Sequence, residues 1–297
     1  MKKRVLPYIR LARPEDWVKN LFVLLPIFFA GHLTHVSYWG KGGMAFLAFC
    51  LAAGGIYCIN DIRDARADRR HPHKRLRPVA ARSVTPRNAA ILAATMAVAA
   101  VAMASLLPEC SRYGFLICLG IYLLLNIAYT LLLKRVVLLD VTVIAVGFVL
   151  RVIGGGVATG IWVSQWIVMM TFLLALFLAL GKRRDDALLF ERTGKCVRPS
   201  IERYSVRFLN YAIPLTAAIT VVCYIMYTMS PDVIGRMGTP YLYITSLFVL
   251  GGILRYMQIV LVKGRGGNPV ANLYRDRILQ CCIAGWVLSF VVIIYLL

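Results

Sequence analysis

Long apolar blocks alternate along the chain with short, strongly charged connections. The blocks fall at about 20–36, 43–60, 88–108, 113–133, 137–157, 162–181, 208–229, 239–262 and 278–297. Each is near or above the roughly 18 residues that cross a bilayer as a helix. The pattern predicts an all-α, polytopic membrane protein with about nine transmembrane helices. Composition agrees: the 297 residues are 60% apolar and 16% charged, where soluble domains carry about 25% charge, so the excess apolar surface has to face lipid. Lys2, Lys3 and Arg4 resemble the basic region of a secretory signal, but Arg10, Arg13, Glu15 and Asp16 precede any apolar run. No cleavable signal is therefore expected.

Charge then sets the orientation. With the N-terminus on the cytoplasmic face, the connections on that side are 61–87, 134–136, 182–207 and 263–277. Leaving out Arg277 at the edge of the last span, these connections and the residues leading into the first block hold 28 of the 34 Lys and Arg. The opposite face keeps Lys41, Arg112 and Arg236, while Arg151, Arg255 and Arg277 lie within or near the ends of spans. The bias of positive charge places the N-terminus inside and the C-terminus outside. A net charge of +21 could serve nucleic acid, but these charges sit in short loops beside spans, so no nucleic-acid partner is expected. The eight cysteines form no Cys-x-x-Cys pair or zinc spacing with the four histidines and read as small buried hydrophobes.

Two connections, 61–87 and 182–207, are longer than a link needs and mix Arg, Lys and Asp. In the first, Asn60-Asp61-Ile62-Arg63-Asp64-Ala65-Arg66-Ala67-Asp68 follows the second apolar block directly. On a continuing helix, positions 61, 64 and 68 stack along one stripe with Asn60 beside them. Three such carboxylates repel unless cations bridge them. Magnesium is usually held by one or two carboxylates plus substrate phosphates, and Lys74 and Arg77 could hold the phosphate oxygens left free. The alternative is a solvated helix end in which Arg63, Arg66 and Arg70 pair with the aspartates. Asp140 and Arg151 lie in or at the edge of an apolar block, where ionisable groups usually have a partner; structural pairing and substrate contact both remain open for them. Gly154-Gly155-Gly156 lacks a following Lys-Ser or Lys-Thr and reads as close helix packing. Trp17 and the Tyr residues near span ends read as interfacial anchors, with cavity lining as the alternative for Tyr129 or Tyr204.

The Asn-Asp-x-x-Asp-x-x-x-Asp motif after an apolar helix, with Arg77-Pro78 about ten residues on, resembles the UbiA superfamily of intramembrane prenyltransferases. That resemblance implies a single transmembrane domain over 1–297, its helices around a central cavity open to the cytosol, with 61–87 and 182–207 as active-site loops. It also implies that Asp61, Asp64 and Asp68 bind the diphosphate of a substrate through Mg2+. Members acting on aromatic acceptors carry a second Asp-x-x-x-Asp motif; here the matching stretch reads Gly181-Lys182-Arg183-Arg184-Asp185-Asp186. Adjacent aspartates point about 100° apart on a helix and do not easily serve one metal.

Several further pieces resemble one branch, the decaprenyl-phosphate phosphoribosyltransferases: Arg13-Pro14-x-x-Trp17-Val18-Lys19-Asn20, Ala128-Tyr129 through Lys134, Leu139-Asp140-Val141, Gly147 to Arg151, Gly181-Lys182-Arg183, Glu191 to Gly194, Leu254-Arg255-Tyr256 and Asp276-Arg277-x-Leu279-Gln280. They cover the chain nearly end to end. The branch implies phosphoribosyl diphosphate as donor and a polyprenyl phosphate lipid as acceptor, in a bacterial inner membrane and for a cell-envelope glycan. Asp61 and Asp64 are then the catalytic pair, supported by Asn60, Lys74, Arg77 and Tyr129. Lys19, Lys134, Lys182, Arg183 and Arg184 are the cations available to the ribose and lipid phosphates. A phosphate monoester is already ionised at neutral pH, so His71 and His73 are not required. The rival readings are an aromatic-acceptor prenyltransferase of the same fold and an anionic-metabolite transporter.

Overall fold

The structure, a computed structural model, describes residues 2–69, 74–194 and 200–295, with side chains from residue 6 onward. His71, His73 and Arg70 lie outside the described residues, as does Cys196. Among those described, all regular structure is helical: α1 (Lys2–Ala12), a 3-10 segment (Pro14–Leu24), α2 (Leu25–Phe29), α3 (Val36–Asp68), α4 (Pro86–Ser105), α5 (Glu109–Leu131), α6 (Leu139–Thr159), α7 (Gln165–Thr193), α8 (Val206–Thr228), α9 (Pro231–Met237), α10 (Ser246–Leu261), α11 (Pro269–Arg275) and α12 (Arg277–Tyr295). Eight helical stretches are long and apolar enough to cross a membrane, making this a multi-pass membrane protein.

Those eight correspond to the second through ninth apolar blocks. The first block differs. It folds as the 3-10 segment followed by the five-residue α2, with Pro14 opening the former and Pro26 in the first turn of the latter. Proline supplies no N–H and fixes φ, which suits a helix start and interrupts a continuous one.

Two helices outrun the membrane. At 33 residues, α3 is about 50 Å long against a hydrocarbon core of about 30 Å, so its last turns carry Asp61, Asp64 and Asp68 as helix, not as loop. The 29 residues of α7 likewise carry Lys182 to Arg192 in helical register, and Gly194 closes that helix at φ +64, where a side chain is disfavoured. At the start of α4, Pro86 takes the first turn and the Thr85 side chain accepts from the Asn88 N–H at 3.2 Å. That cap fixes where the 74–85 connection ends.

Two compact units divide the chain, Met1–Thr130 with Leu150–Val163, and Leu131–Val149 with Ser164–Leu297; α6 contributes its first half to the second unit and its second half to the first. Lipid offers no hydrophobic drive between helices, so close packing of small residues has to hold them. In the first unit, Gly55 of α3 brings its Cβ position within 3.1 Å of the Ala93 carbonyl oxygen of α4. Beneath the aspartate-bearing turns, Leu11, Cys58, Ala65, Val79, Val84, Ala89 and Met96 form one buried cluster. The second unit centres on Val141, Phe177, Leu180, Ile201, Tyr204, Leu209, Tyr256 and Val260.

The glycine run 154–156 is a packing device, as its surroundings in the sequence imply. A Cβ on Gly155 would stand 1.8 Å from the Val23 carbonyl oxygen, and one on Gly154 would stand 2.7 Å from the Phe49 ring. Backbone cannot yield as a side-chain tip does. Gly155→Ala is expected to destabilise the protein by about 3 kcal/mol, the upper end of overpacking costs, read as the thermal transition in detergent; an unchanged transition would refute the close approach.

Candidate active site

Within the first unit, the end of α3 gathers charge from elements far apart in sequence. Asp61 is 1% exposed. Its Oδ1 accepts from the Arg13 guanidinium, and Arg77 Nη1 stands 3.6 Å from the same oxygen. Arg77 Nη1 also donates to Asp68 Oδ2 at 2.7 Å. Arg13 sits on left-handed backbone, φ 50, and stacks its guanidinium 4.9 Å from the Tyr57 ring centroid. Arg77 is aimed by a compact turn: Ala81 N–H donates to its carbonyl at 2.8 Å, Arg69 Nε donates to the Ala80 carbonyl at 3.3 Å, and Val79 and Val84 are buried beneath. Asp61 and Asp68 thus pair with arginines outside their own helix. Arg13, quoted in the family pattern but given no role from it, is the residue that local reading missed; a buried Asp61 needing a cation is the signal that points to one.

Asp61 Oδ2 is buried and makes no hydrogen bond. Buried carboxylate oxygens are normally satisfied, so this atom is suited to a ligand that brings positive charge. Among the described residues no three His, Cys, Asp or Glu side chains form a ready-made metal cage. That accords with a magnesium ion held by one or two carboxylates and completed by phosphate. Asp61 is buried, Asp64 is half-buried one turn on and Asp68 is buried, and the structure does not bring all three together as one cage.

The same unit holds Asn60, whose side-chain carbonyl accepts from the Thr130 hydroxyl. Lys19 donates to Asp16 at 2.6 Å, and Lys74 and Tyr129 are half-buried. Arg151, 7% exposed, donates to Asn20 Oδ1 at 2.7 Å and to the Tyr122 hydroxyl at 2.8 Å, with its guanidinium 4.8 Å from that ring centroid. A partner for this charge was expected from its place in an apolar block, and polar neighbours from two other elements supply it.

In the second unit the charges of α7 are engaged with protein. Arg183, 1% exposed, donates to Asp140 Oδ2 at 2.6 Å and to Asp186 Oδ2 at 3.1 Å. Asp140, 0% exposed, also accepts from Tyr204 at 2.6 Å and Ser200 at 3.2 Å. Burial, then the hydrogen bond to Asp140, push the Tyr204 phenol well above its ordinary pKa. Arg184 donates to Asn210 Oδ1 and to the Val260 carbonyl, each at 2.7 Å, and to the Leu261 carbonyl at 3.3 Å, closing the C-terminal end of α10. Asp185 Oδ2 accepts from the Gly267 N–H at 2.6 Å. The adjacent pair therefore grips one connection by opposite groups, Arg184 its carbonyls and Asp185 an amide. Lys182 and Lys134 are half-buried. Two separated family pieces also meet: Arg255 donates to both oxygens of Asp276, at 3.0 and 2.7 Å, and that bond holds the Asp276 carboxyl down to about 2.

The family model described as the UbiA prenyltransferase family matches residues 21–272. The chain belongs to the UbiA family. It is 36% identical over 296 residues to a decaprenyl-phosphate phosphoribosyltransferase of Mycolicibacterium smegmatis, covering 96% of this chain and 92% of that one. A protein of the same name from Corynebacterium glutamicum is 35% identical over 293 residues, covering 97% of this chain and 87% of that one. Among solved structures, a UbiA homolog from Archaeoglobus fulgidus bound to GPP and Mg2+ superposes with a TM-score of 0.70 at 18% identity, over 97% of each chain. The apo UbiA homolog from Aeropyrum pernix gives 0.69 at 18% identity, over 93% of this chain and 98% of that one. At these identities the solved structures establish the UbiA fold.

Proposed function

We propose that this UbiA member transfers ribose 5-phosphate from phosphoribosyl diphosphate to a polyprenyl phosphate of the decaprenyl type, releasing diphosphate. The observation that carries the reading is end-to-end identity with relatives named for that reaction. In the chemistry, the bond from the anomeric carbon to the diphosphate oxygen breaks and a bond to an oxygen of the lipid phosphate forms. The lipid phosphate is already ionised, so the protein has to position it and offset its charge; no general base is needed. A magnesium ion at Asp61, Asp64 and Asp68 would neutralise the charge that develops on the departing diphosphate. Arg77 and Lys74 are proposed to bind diphosphate oxygens, with Asn60 and Tyr129 beside them. Lys19, Lys134 and Lys182 are proposed as phosphate-binding cations, while Arg183 and Arg184, already engaged, hold α7 in place for Lys182.

The proposed setting is a bacterial inner membrane with the N-terminus cytoplasmic and the C-terminus outside. That orientation requires the broken first block, 20–36, to cross the membrane as a ninth segment beside the eight spanning helices. Cys110, exposed at the start of α5, is then expected to react with a membrane-impermeant maleimide from outside the cell; labelling only from the cytoplasmic side would reverse the assignment.

The reaction is tested with radiolabelled phosphoribosyl diphosphate, polyprenyl phosphate and magnesium, in membranes carrying the parent protein or Asp64→Ala. Label is expected in the lipid phase with the parent and lost with the variant. Consumption of a prenyl diphosphate with an aromatic acceptor, and no transfer of label, would keep the fold and overturn the reaction.

A further inference from the structure

We infer that Arg77 is an exchangeable cation: it neutralises Asp61 and Asp68 until a metal takes those carboxylates, then turns to the diphosphate that the metal carries. The inference rests on the metal and diphosphate reading above and adds an order of events to it.

The two arginines of the cluster are held differently. Arg13 is fixed three times, by left-handed backbone at φ 50, by the Tyr57 ring 4.9 Å away and by Asp61 Oδ1. Among the described residues, Arg77 pairs its side chain with carboxylates, Asp68 at 2.7 Å and Asp61 at 3.6 Å, and is 28% exposed along the side chain. Its backbone is anchored independently of that side chain, through the Lys74 and Ala81 hydrogen bonds and the buried Val79 and Val84. The guanidinium can therefore swing from a fixed root.

Charge requires the swing. Asp61 and Asp68, 1% and 6% exposed along the side chain, balance Arg13 and Arg77. A divalent cation on the same carboxylates competes directly with Arg77 and leaves guanidinium charge uncompensated in a partly buried site. Unpaired charge there is costly. An anion arriving with the metal removes that cost, and a guanidinium binds phosphate oxygens well through paired N–H groups. Metal alone should thus bind weakly, and metal with diphosphate strongly. This is a coupling between two ligands that runs through one side chain.

The test uses the full chain in detergent. Affinity for Mn2+ alone is read by electron paramagnetic resonance of the free ion, and retention of radiolabelled inorganic diphosphate is read at saturating Mn2+. Arg77→Gln is expected to bind Mn2+ alone on the order of tenfold more tightly and the manganese–diphosphate complex on the order of tenfold more weakly. Arg77→Lys, which keeps the cation, should leave the affinity for Mn2+ alone near the parent value. Unchanged metal affinity with weakened diphosphate binding would make Arg77 a phosphate ligand only and overturn the exchange. Weakened binding of both would make it a scaffold and overturn it equally. A parent chain that binds neither probe would sink the metal reading itself.

Discussion

Arg183→Ala is expected to remove about 3–5 kcal/mol of stability, the usual result of deleting one partner of a buried ion pair. Asp140 has no route to water at 0% exposure. Without Arg183, its charge would rest, among the described residues, on the Tyr204 and Ser200 hydroxyls. Two neutral donors do not replace a guanidinium. The same change also removes the 3.1 Å contact of Arg183 with Asp186. The loss should appear as a lowered thermal transition of the detergent-solubilised protein and reduced yield in membranes. A companion variant sharpens the argument: Arg183→Met with Asp140→Leu removes both charges and should recover much of the loss, because the cost lies in the orphaned carboxylate and not in the missing attraction. A single variant within about 1 kcal/mol of the parent would show that the pair is better solvated than its burial implies.

The second large effect falls on activity. Asp61→Asn keeps the size of the side chain and an oxygen to accept from Arg13, but removes the charge that the buried Oδ2 offers. Stabilisation of the leaving diphosphate by metal is worth several kcal/mol. A loss of about 3–4 kcal/mol corresponds to a turnover lower by roughly 10²–10³-fold. Stability is expected to fall as well, since the charge removed is also the one that offsets Arg13 and Arg77 at this buried position. Label transfer measured beside the thermal transition separates the two quantities. Near-parent turnover in Asp61→Asn would remove Asp61 from the metal site.

Much of this architecture is legible in sequence because lipid imposes it. Eight of the nine apolar blocks are spanning helices, since a chain in hydrocarbon has to satisfy its backbone within each segment. The exception, 20–36, has enough apolar residues, but near Pro26 it divides into a 3-10 segment and a short helix that hydropathy does not resolve. The aspartate stripe is legible because 61, 64 and 68 follow helical spacing on a helix that does continue. Its partners are not, because Arg13 and Arg77 reach it through tertiary packing, Arg13 from 48 residues away. For Asp140 and Arg151 the sequence poses the question without the answer: a charge in an apolar block needs company, but no local rule says that Asp140 finds Arg183 or that Arg151 finds Asn20 and Tyr122. The run Lys182-Arg183-Arg184 reads as a phosphate-binding cluster on composition, yet two of its three members are committed to carbonyls and carboxylates of their own unit.

The grip of Arg184 and Asp185 on the connection after α10 gives their order a meaning that their composition lacks. Exchanging the two residues would leave net charge and hydropathy untouched and helix propensity little changed. It would also set a carboxylate against the carbonyl oxygens of 260 and 261 and a guanidinium against the amide of 267. Drift from one order to the other passes through a chain in which one end of that connection faces its own sign, so neutral substitution has no path between them. Position, like the spelling of a word, carries the information there.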